Sequence, residues 1–116
     1  MRALVTGGNG FIGSHLVRRL EASGHSVRVM AQPGTSLGPI DGTAAEVVNA
    51  DLTEPESLRA ALPGVDTVFH LAGMVGDWGR PEDFEKINAL GTRSLIEAAE
   101  AAGARRVVLV SSVAIH

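Results

Sequence analysis

The chain has 116 residues, 45% of them hydrophobic and 20% charged, the size and balance of one globular domain with a single core. A formal net charge of −3 offers no basic footprint for nucleic acid, and no run approaches the roughly 18 apolar residues that span a bilayer. Cysteine is absent, which excludes disulfides and thiolate metal sites, and the histidines at 15, 25, 70 and 116 show no paired metal-ligand spacing, so no metal is expected.

The opening Met1-Arg2-Ala3-Leu4-Val5-Thr6-Gly7 has an apolar run too short for a signal peptide, which makes the cytoplasm the expected address. Ala3-Leu4-Val5 ends at Thr6-Gly7-Gly8-Asn9-Gly10, the pattern of a buried strand meeting a tight turn. Ile12, Leu16 and Leu20 then recur at helical spacing, with Arg18, Arg19 and Glu21 on other faces, and Gly24 closes the helix. Val27 to Ala31 is a second strand, less buried at Arg28. Residues 32–44 are rich in turn formers and are expected to be a loop, and Glu46 to Asn49 a third strand.

Thr53-Glu54-Pro55-Glu56 predicts a helix start, with Thr53 as the cap, Pro55 in the first turn and Glu56 completing a capping box; that helix ends near Leu62. Thr67 to Leu71 is a fourth strand, followed by Ala72-Gly73 and a loop carrying Met74 and Trp78. A long helix from about Pro81 to Ala102 presents Phe84, Ile87, Gly91, Leu95, Ala98 and Ala102 on one face, and Gly103 terminates it. Val107 to Val110 is a fifth strand ending at Ser111-Ser112. There is no internal repeat and no sign of a second domain.

Strands that are nearly continuously apolar, alternating with helices, predict a parallel sheet covered on both faces. Right-handed crossovers favour the α/β doubly wound (Rossmann) arrangement with strand order 3-2-1-4-5, its ligand crevice beyond the C-terminal ends of strands 1 and 4. The chemically suggestive residues fall at those ends. Gly7-Gly8-Asn9-Gly10-Phe11-Ile12-Gly13 joins the first strand directly to the first helix. A pyrophosphate needs donors that approach closely, and a helix N-terminus supplies unpaired N–H groups and a positive dipole end. Gly7 would permit the sharp turn, Gly10 would let the pyrophosphate lie against bare backbone, and Gly13 would let the helix pack on the sheet. Read as Gly7-x-x-Gly10-x-x-Gly13 or as Gly8-x-Gly10-x-x-Gly13, the glycines fit a dinucleotide turn; alone they would equally make a plain strand–helix turn.

Thr6 to Ser14 closely resembles the opening of the extended short-chain dehydrogenase/reductase family, the NAD-dependent epimerase/dehydratase group. Four further stretches match in order: Asp51-Leu52, His70-Leu71-Ala72-Gly73, Asn88-Ala89-Leu90-Gly91-Thr92 and Val110-Ser111-Ser112. The resemblance covers the whole chain but only about the first third of a usual family member. It implies NAD or NADP as cofactor and a small-molecule substrate. Gly7, Gly10, Phe11, Ile12 and Gly13 would lie at the pyrophosphate and Asp51 and Leu52 at the adenine. Leu71, Ala72, Gly73 and Asn88 would border the rest of the cofactor, and Ser112 would be the catalytic serine. Taken singly, Asp51 is more simply a loop residue, Asn88 a solvated helix residue, and His70 a packed strand histidine.

Two departures limit the resemblance. Family catalysis pairs a tyrosine with a lysine four positions on, beyond the fifth strand; the chain has no tyrosine and ends at His116. Residues 1–116 are therefore expected to be an incomplete NAD(P)-binding domain, truncated after strand 5 and inactive alone, because proton transfer requires a group within hydrogen-bond reach. NAD-selective members carry an acidic residue closing strand 2 and NADP-selective ones an Arg nearby; here stand Ala31 and Gln32, with Gln32 able to bond either a ribose hydroxyl or a phosphate oxygen. The Met74–Gly79 stretch is closer to the dihydroflavonol-reductase and 3β-hydroxysteroid-dehydrogenase branch than to the nucleotide-sugar branch. In this family the long helix also helps to form a dimer, so a homodimer through 81–102 is expected. The rival class is a non-catalytic NAD(P)-sensing module of the same fold. A methyltransferase using S-adenosylmethionine would want an acidic residue closing strand 2, which Ala31 and Gln32 do not supply.

Overall fold

The computed structural model describes residues 1–7, 11–31, 37–72 and 81–111, with backbone alone for 11, 72, 81–89, 110 and 111. Five strands form one all-parallel sheet: β1 Arg2–Thr6, β2 Ser26–Ala31, β3 Glu46–Asn49, β4 Thr67–Ala72 and β5 Arg106–Ser111, in the order β3-β2-β1-β4-β5. Three α-helices join them: α1 Phe11–Ala22, α2 Pro55–Ala61 and α3 Pro81–Ala101. This is the doubly wound order expected from the alternation of elements.

Side-chain alternation along each strand divides the core into two layers. Leu4, Met30 and Val68 face α2 and α3, where they pack with Leu58, Leu62, Leu95, Ala98 and Ala99. Ala3, Val5, Val27, Val29 and Ala31 face the other way and meet Val17 and Leu20 of α1. In β5, Leu109, the register partner of His70, is 56% exposed. Among the described residues no helix is long and apolar enough to cross a membrane.

The helix stops follow from their last residues. In α1, Gly24 N–H donates to the Glu21 carbonyl and His25 N–H to the Leu20 carbonyl; in α3, Gly103 and Ala104 repeat the pattern on Glu100 and Ala99. Both are paired reverse bonds that satisfy the free carbonyls of a helix end, with the glycine in the left-handed region.

Four local expectations need correction. The residue flanking α2 is Glu54, not Thr53, and it makes no side-chain cap; Pro55 opens the helix, and the Thr53 hydroxyl instead donates to Asp51 Oδ1 at 2.7 Å. Glu54 takes the position flanking the helix, and Asp51 holds the Thr53 hydroxyl in the preceding turn, so the capping box does not form. The stretch expected as a 32–44 loop contains a 3-10 turn at Gly38–Ile40, pinned because Ile40 enters the α1-side core and Arg18 donates to the Pro39 and Asp41 carbonyls. On α1 the inward stripe is Gly13, Val17 and Leu20, which leaves Ile12 47% exposed. On α3 the buried alanines are Ala98 and Ala99, while Ala102 lies past the helix end and is exposed.

Candidate functional site

The C-terminal ends of β3, β2, β1 and β4 form one edge, and backbone hydrogen bonds continue the ladder past the strands there. Gly7 N–H donates to Met30 O at 3.0 Å and Ala50 N–H to Ala31 O at 3.1 Å. Gly7 therefore stands at the central strand end, and the Asp51-Leu52 segment stands two strands away, about 10 Å at ordinary strand spacing. Leu71 and Ala72 end the neighbouring β4 on the other side of Gly7.

At Gly7 the chain leaves β1 with φ +66°. An L-residue in that region brings Cβ against the following carbonyl, whereas glycine turns without strain. The next described element is α1, whose first described residue is Phe11 and whose Gly13 is buried. Helix starts at such a place carry unpaired N–H groups and the positive end of the dipole, chemistry that suits a phosphate.

At the β3 end of this edge Asp51 is held in place by its surroundings. Its Oδ1 accepts from Thr53 N–H at 2.8 Å and from the Thr53 hydroxyl, and its N–H donates to Ser57 Oγ at 3.0 Å. One carboxylate oxygen is thus committed to the turn. Leu52 is half-buried, and its N–H has no partner among the described residues. A carboxylate followed by a main-chain N–H supplies an acceptor and a donor, the two functions that the edge of a purine base complements.

Between these ends lies a buried polar chain that the sequence reading did not assemble. Thr6 and His70 are paired across β1 and β4 in register, both facing α3. Thr6 Oγ1 lies 2.8 Å from His70 Nδ1, His70 Nε2 lies 2.9 Å from Thr92 Oγ1, and Leu71 N–H donates to Thr6 Oγ1 at 3.1 Å. Thr6 is 3% and His70 1% exposed. Burial lowers the His70 pKa below its ordinary value of 6.5, so the ring is held neutral, with one nitrogen donating and the other accepting. His70 is accordingly a packed and fully bonded strand histidine. Its partners were discoverable: Thr6 shares strand parity with Leu4, and Thr92 ends the Asn88–Thr92 motif.

The structure thus gathers Gly7, Leu71, Ala72, Asp51 and Leu52 at one sheet edge, with Phe11, Ile12 and Gly13 in the first turn of α1. It places Asn88 in α3, one turn before Thr92. Gly10, Gln32, Gly73 and Ser112, and the Met74–Gly79 loop with Trp78, lie outside the described residues. Among the described residues no group of three or more His, Asp or Glu is placed to hold a metal.

Known proteins are similar to this chain in sequence and in fold. The chain is 42% identical to the sterol demethylase protein B of Methylococcus capsulatus over 97% of its own length and 34% of that protein's. It is 36% identical to the human sterol-4-alpha-carboxylate 3-dehydrogenase (decarboxylating), over 98% of its own length and 30% of that enzyme's. Among solved structures, a short-chain dehydrogenase/reductase superfamily protein from Agrobacterium tumefaciens with bound NAD superposes with a TM-score of 0.74 at 36% identity, over 97% of this chain and 33% of that one. The chain spans about a third of the length of the curated relatives it matches. The sequence pattern of the NAD dependent epimerase/dehydratase family runs through residues 3–116, and the chain belongs to that family.

Proposed function

We propose that this chain is the cofactor-binding part of an NAD(P)-dependent enzyme that moves hydride to or from a hydroxyl-bearing or carbonyl carbon of a small molecule. The observation that carries the reading is the left-handed turn at Gly7, at the end of the central strand, with the Asp51-Leu52 segment at the same sheet edge. In this reading the Gly7–Gly13 turn and the start of α1 receive the pyrophosphate, and Gly10 is the point of closest backbone approach. Asp51 Oδ2, the oxygen not engaged by Thr53, accepts from the adenine amino group, and Leu52 N–H donates to a ring nitrogen. Leu71, Ala72, Gly73 and Asn88 border the remaining length of the cofactor, and Gln32 bonds the adenosine ribose or its phosphate. The dinucleotide, once bound, supplies the hydride acceptor or donor.

Ser112, the residue that follows β5 in the sequence, orients the substrate oxygen. Residues 1–116 contain no tyrosine, and a serine without a proton-transfer partner does not complete general acid–base catalysis, so these residues alone bind without turnover. The sterol and steroid names of the relatives favour a flat, apolar alcohol or ketone as substrate over a nucleotide sugar. A homodimer through α3 would use its outward residues Arg93, Glu97 and Glu100.

Calorimetric titration of NAD, NADP and S-adenosylmethionine tests the reading. One of the two dinucleotides binds and S-adenosylmethionine does not. Gly10→Val abolishes that binding while the far-ultraviolet circular dichroism is retained; undiminished affinity in Gly10→Val removes the glycine turn from the site. A non-catalytic sensor would bind equally well but show no Tyr-x-x-x-Lys in the residues that follow 116 in the gene, and reading those residues separates the two.

A further inference from the structure

We infer that Gly91 and Thr92, two consecutive residues of α3, are positioning residues that set the distance between the pyrophosphate end and the adenine end of the crevice. The inference rests on the dinucleotide reading above and assigns this task to a helix that lies beneath the crevice.

Gly91 is buried, and a Cβ built on it would lie 2.8 Å from Leu52 Cβ and 3.4 Å from Leu52 Cδ1. Leu52 Cβ is one bond from the backbone and cannot swing aside as a side-chain tip can. The backbone of α3 therefore rests directly on the segment that carries Asp51 and Leu52, and any side chain at 91 must push that segment or the helix away. The next residue reaches the other end. Thr92 Oγ1 lies 2.9 Å from His70 Nε2, His70 Nδ1 lies 2.8 Å from Thr6 Oγ1, and Thr6 immediately precedes the Gly7 turn. Thr6 Oγ1 also accepts from Leu71 N–H, so the chain fixes the β1 and β4 ends against each other as well as against α3.

Rigidity makes this a ruler. Leu95, Ala98 and Ala99, on the following turns of α3, are buried in the α2/α3 core, which holds the helix in register. Residues 91 and 92 belong to one helical turn, so the 50–52 segment and the Thr6-Gly7 corner cannot drift independently. A dinucleotide spans both, and its affinity depends on both being in place at once.

The test is carried out on the whole protein with NAD as the probe. The dissociation constant is measured well below the melting temperature, where every variant is folded, and is compared with the melting temperature itself. Thr92→Val keeps the shape and removes the hydroxyl; it weakens NAD about 3- to 10-fold, the worth of one ordinary hydrogen bond, and Thr92→Ser restores affinity to within about twofold. Gly91→Ala weakens NAD by about 10-fold or more, and adding Leu52→Gly, which removes the opposing Cβ, makes the double variant bind better than the two separate losses predict. If Gly91→Ala does not fold, the Thr92 pair decides. Variants that melt lower but bind NAD as the parent does would show that Gly91 and Thr92 only hold the fold together, and the inference would fall while the dinucleotide reading stood. A parent protein that binds no NAD would overturn both.

Discussion

Replacing Gly7 by alanine isolates the conformational requirement at the head of the crevice. The backbone there has φ +66°, and a Cβ would meet Leu71 Cβ at 3.9 Å, an ordinary contact. Crowding therefore contributes nothing, and the whole cost is that of forcing an L-residue into the left-handed region, roughly 1–2 kcal/mol. Alanine also restricts the unfolded chain, which returns about 0.4–1 kcal/mol and leaves a net loss near 1 kcal/mol. With a urea dependence of about 2 kcal/mol per molar, the unfolding midpoint moves down by about 0.5 M. Urea titration followed by circular dichroism measures this directly. Gly7→Asn is the control, because asparagine enters the left-handed region more readily, and it should fall by clearly less than alanine. A Gly7→Ala midpoint equal to the parent's would refute the claim that this corner requires a positive φ. An asparagine variant as unstable as alanine would show that the loss comes from something other than φ.

The remaining predictions concern two polar clusters, one beside that corner and one at the end of α2. Because burial lowers the His70 pKa below 6.5, the unfolded chain takes up a proton that the native state refuses. The stability tied to neutral His70 is complete above about pH 6.5 and is lost as the pH falls from there through the lowered native value. The urea midpoint should drop between about pH 7.5 and 5.5, and His70→Gln should flatten that drop; an unchanged slope would rule out His70 as its source. Arg28 donates from Nη1 to the Ala61 and Pro63 carbonyls at 2.7 and 2.9 Å and pairs with Glu46 at 3.2 Å, tying β2 to the end of α2. Arg28→Met should cost about 1–2 kcal/mol by losing charge-assisted bonds to carbonyls, whereas Glu46→Gln, whose carboxylate is largely exposed, should cost no more than about 0.5 kcal/mol. Equal losses in the two variants would place the energy in the ion pair instead.

The sheet was legible because its signals are local and repeated. Each strand carries its own apolar run, each α1 and α3 stop carries its glycine, and the order of strands follows once crossovers are right-handed. The 46–49 strand was located to the residue, although it is only four residues long, because turn formers crowd both sides of it. What failed depended on competition between neighbours. Thr53 had every feature of a cap, yet Asp51 offered its hydroxyl a carboxylate two residues away. Ile12 matched the helical period of Leu16 and Leu20, but the inward direction of α1 is set by Gly13 and Val17, and a small residue gives no hydrophobic signal by which to find it. Ile40 lay in a stretch rich in Gly and Pro, and its burial depends on α1 supplying a surface that a sequence window does not contain.

The polar chain Thr6–His70–Thr92 shows why a site is harder to read than a fold. Each of its residues has an unremarkable explanation alone: a strand-end threonine, a core histidine, a helix threonine. Their sequence positions are 64 and 22 residues apart, and only strand pairing between β1 and β4 with α3 packed beneath brings them within hydrogen-bond reach. A buried imidazole with either nitrogen unpaired would be costly, so the three positions constrain one another strongly even though none of them belongs to the glycine turn. The family motifs therefore mark two kinds of residue under one pattern. In the proposed reading Gly7 and Asp51 meet the cofactor directly, whereas Gly91 and Thr92 act through the elements they touch. A substitution at Thr92 should accordingly be tolerated when it keeps a hydroxyl and punished when it keeps only the shape, the reverse of what a packing residue would show.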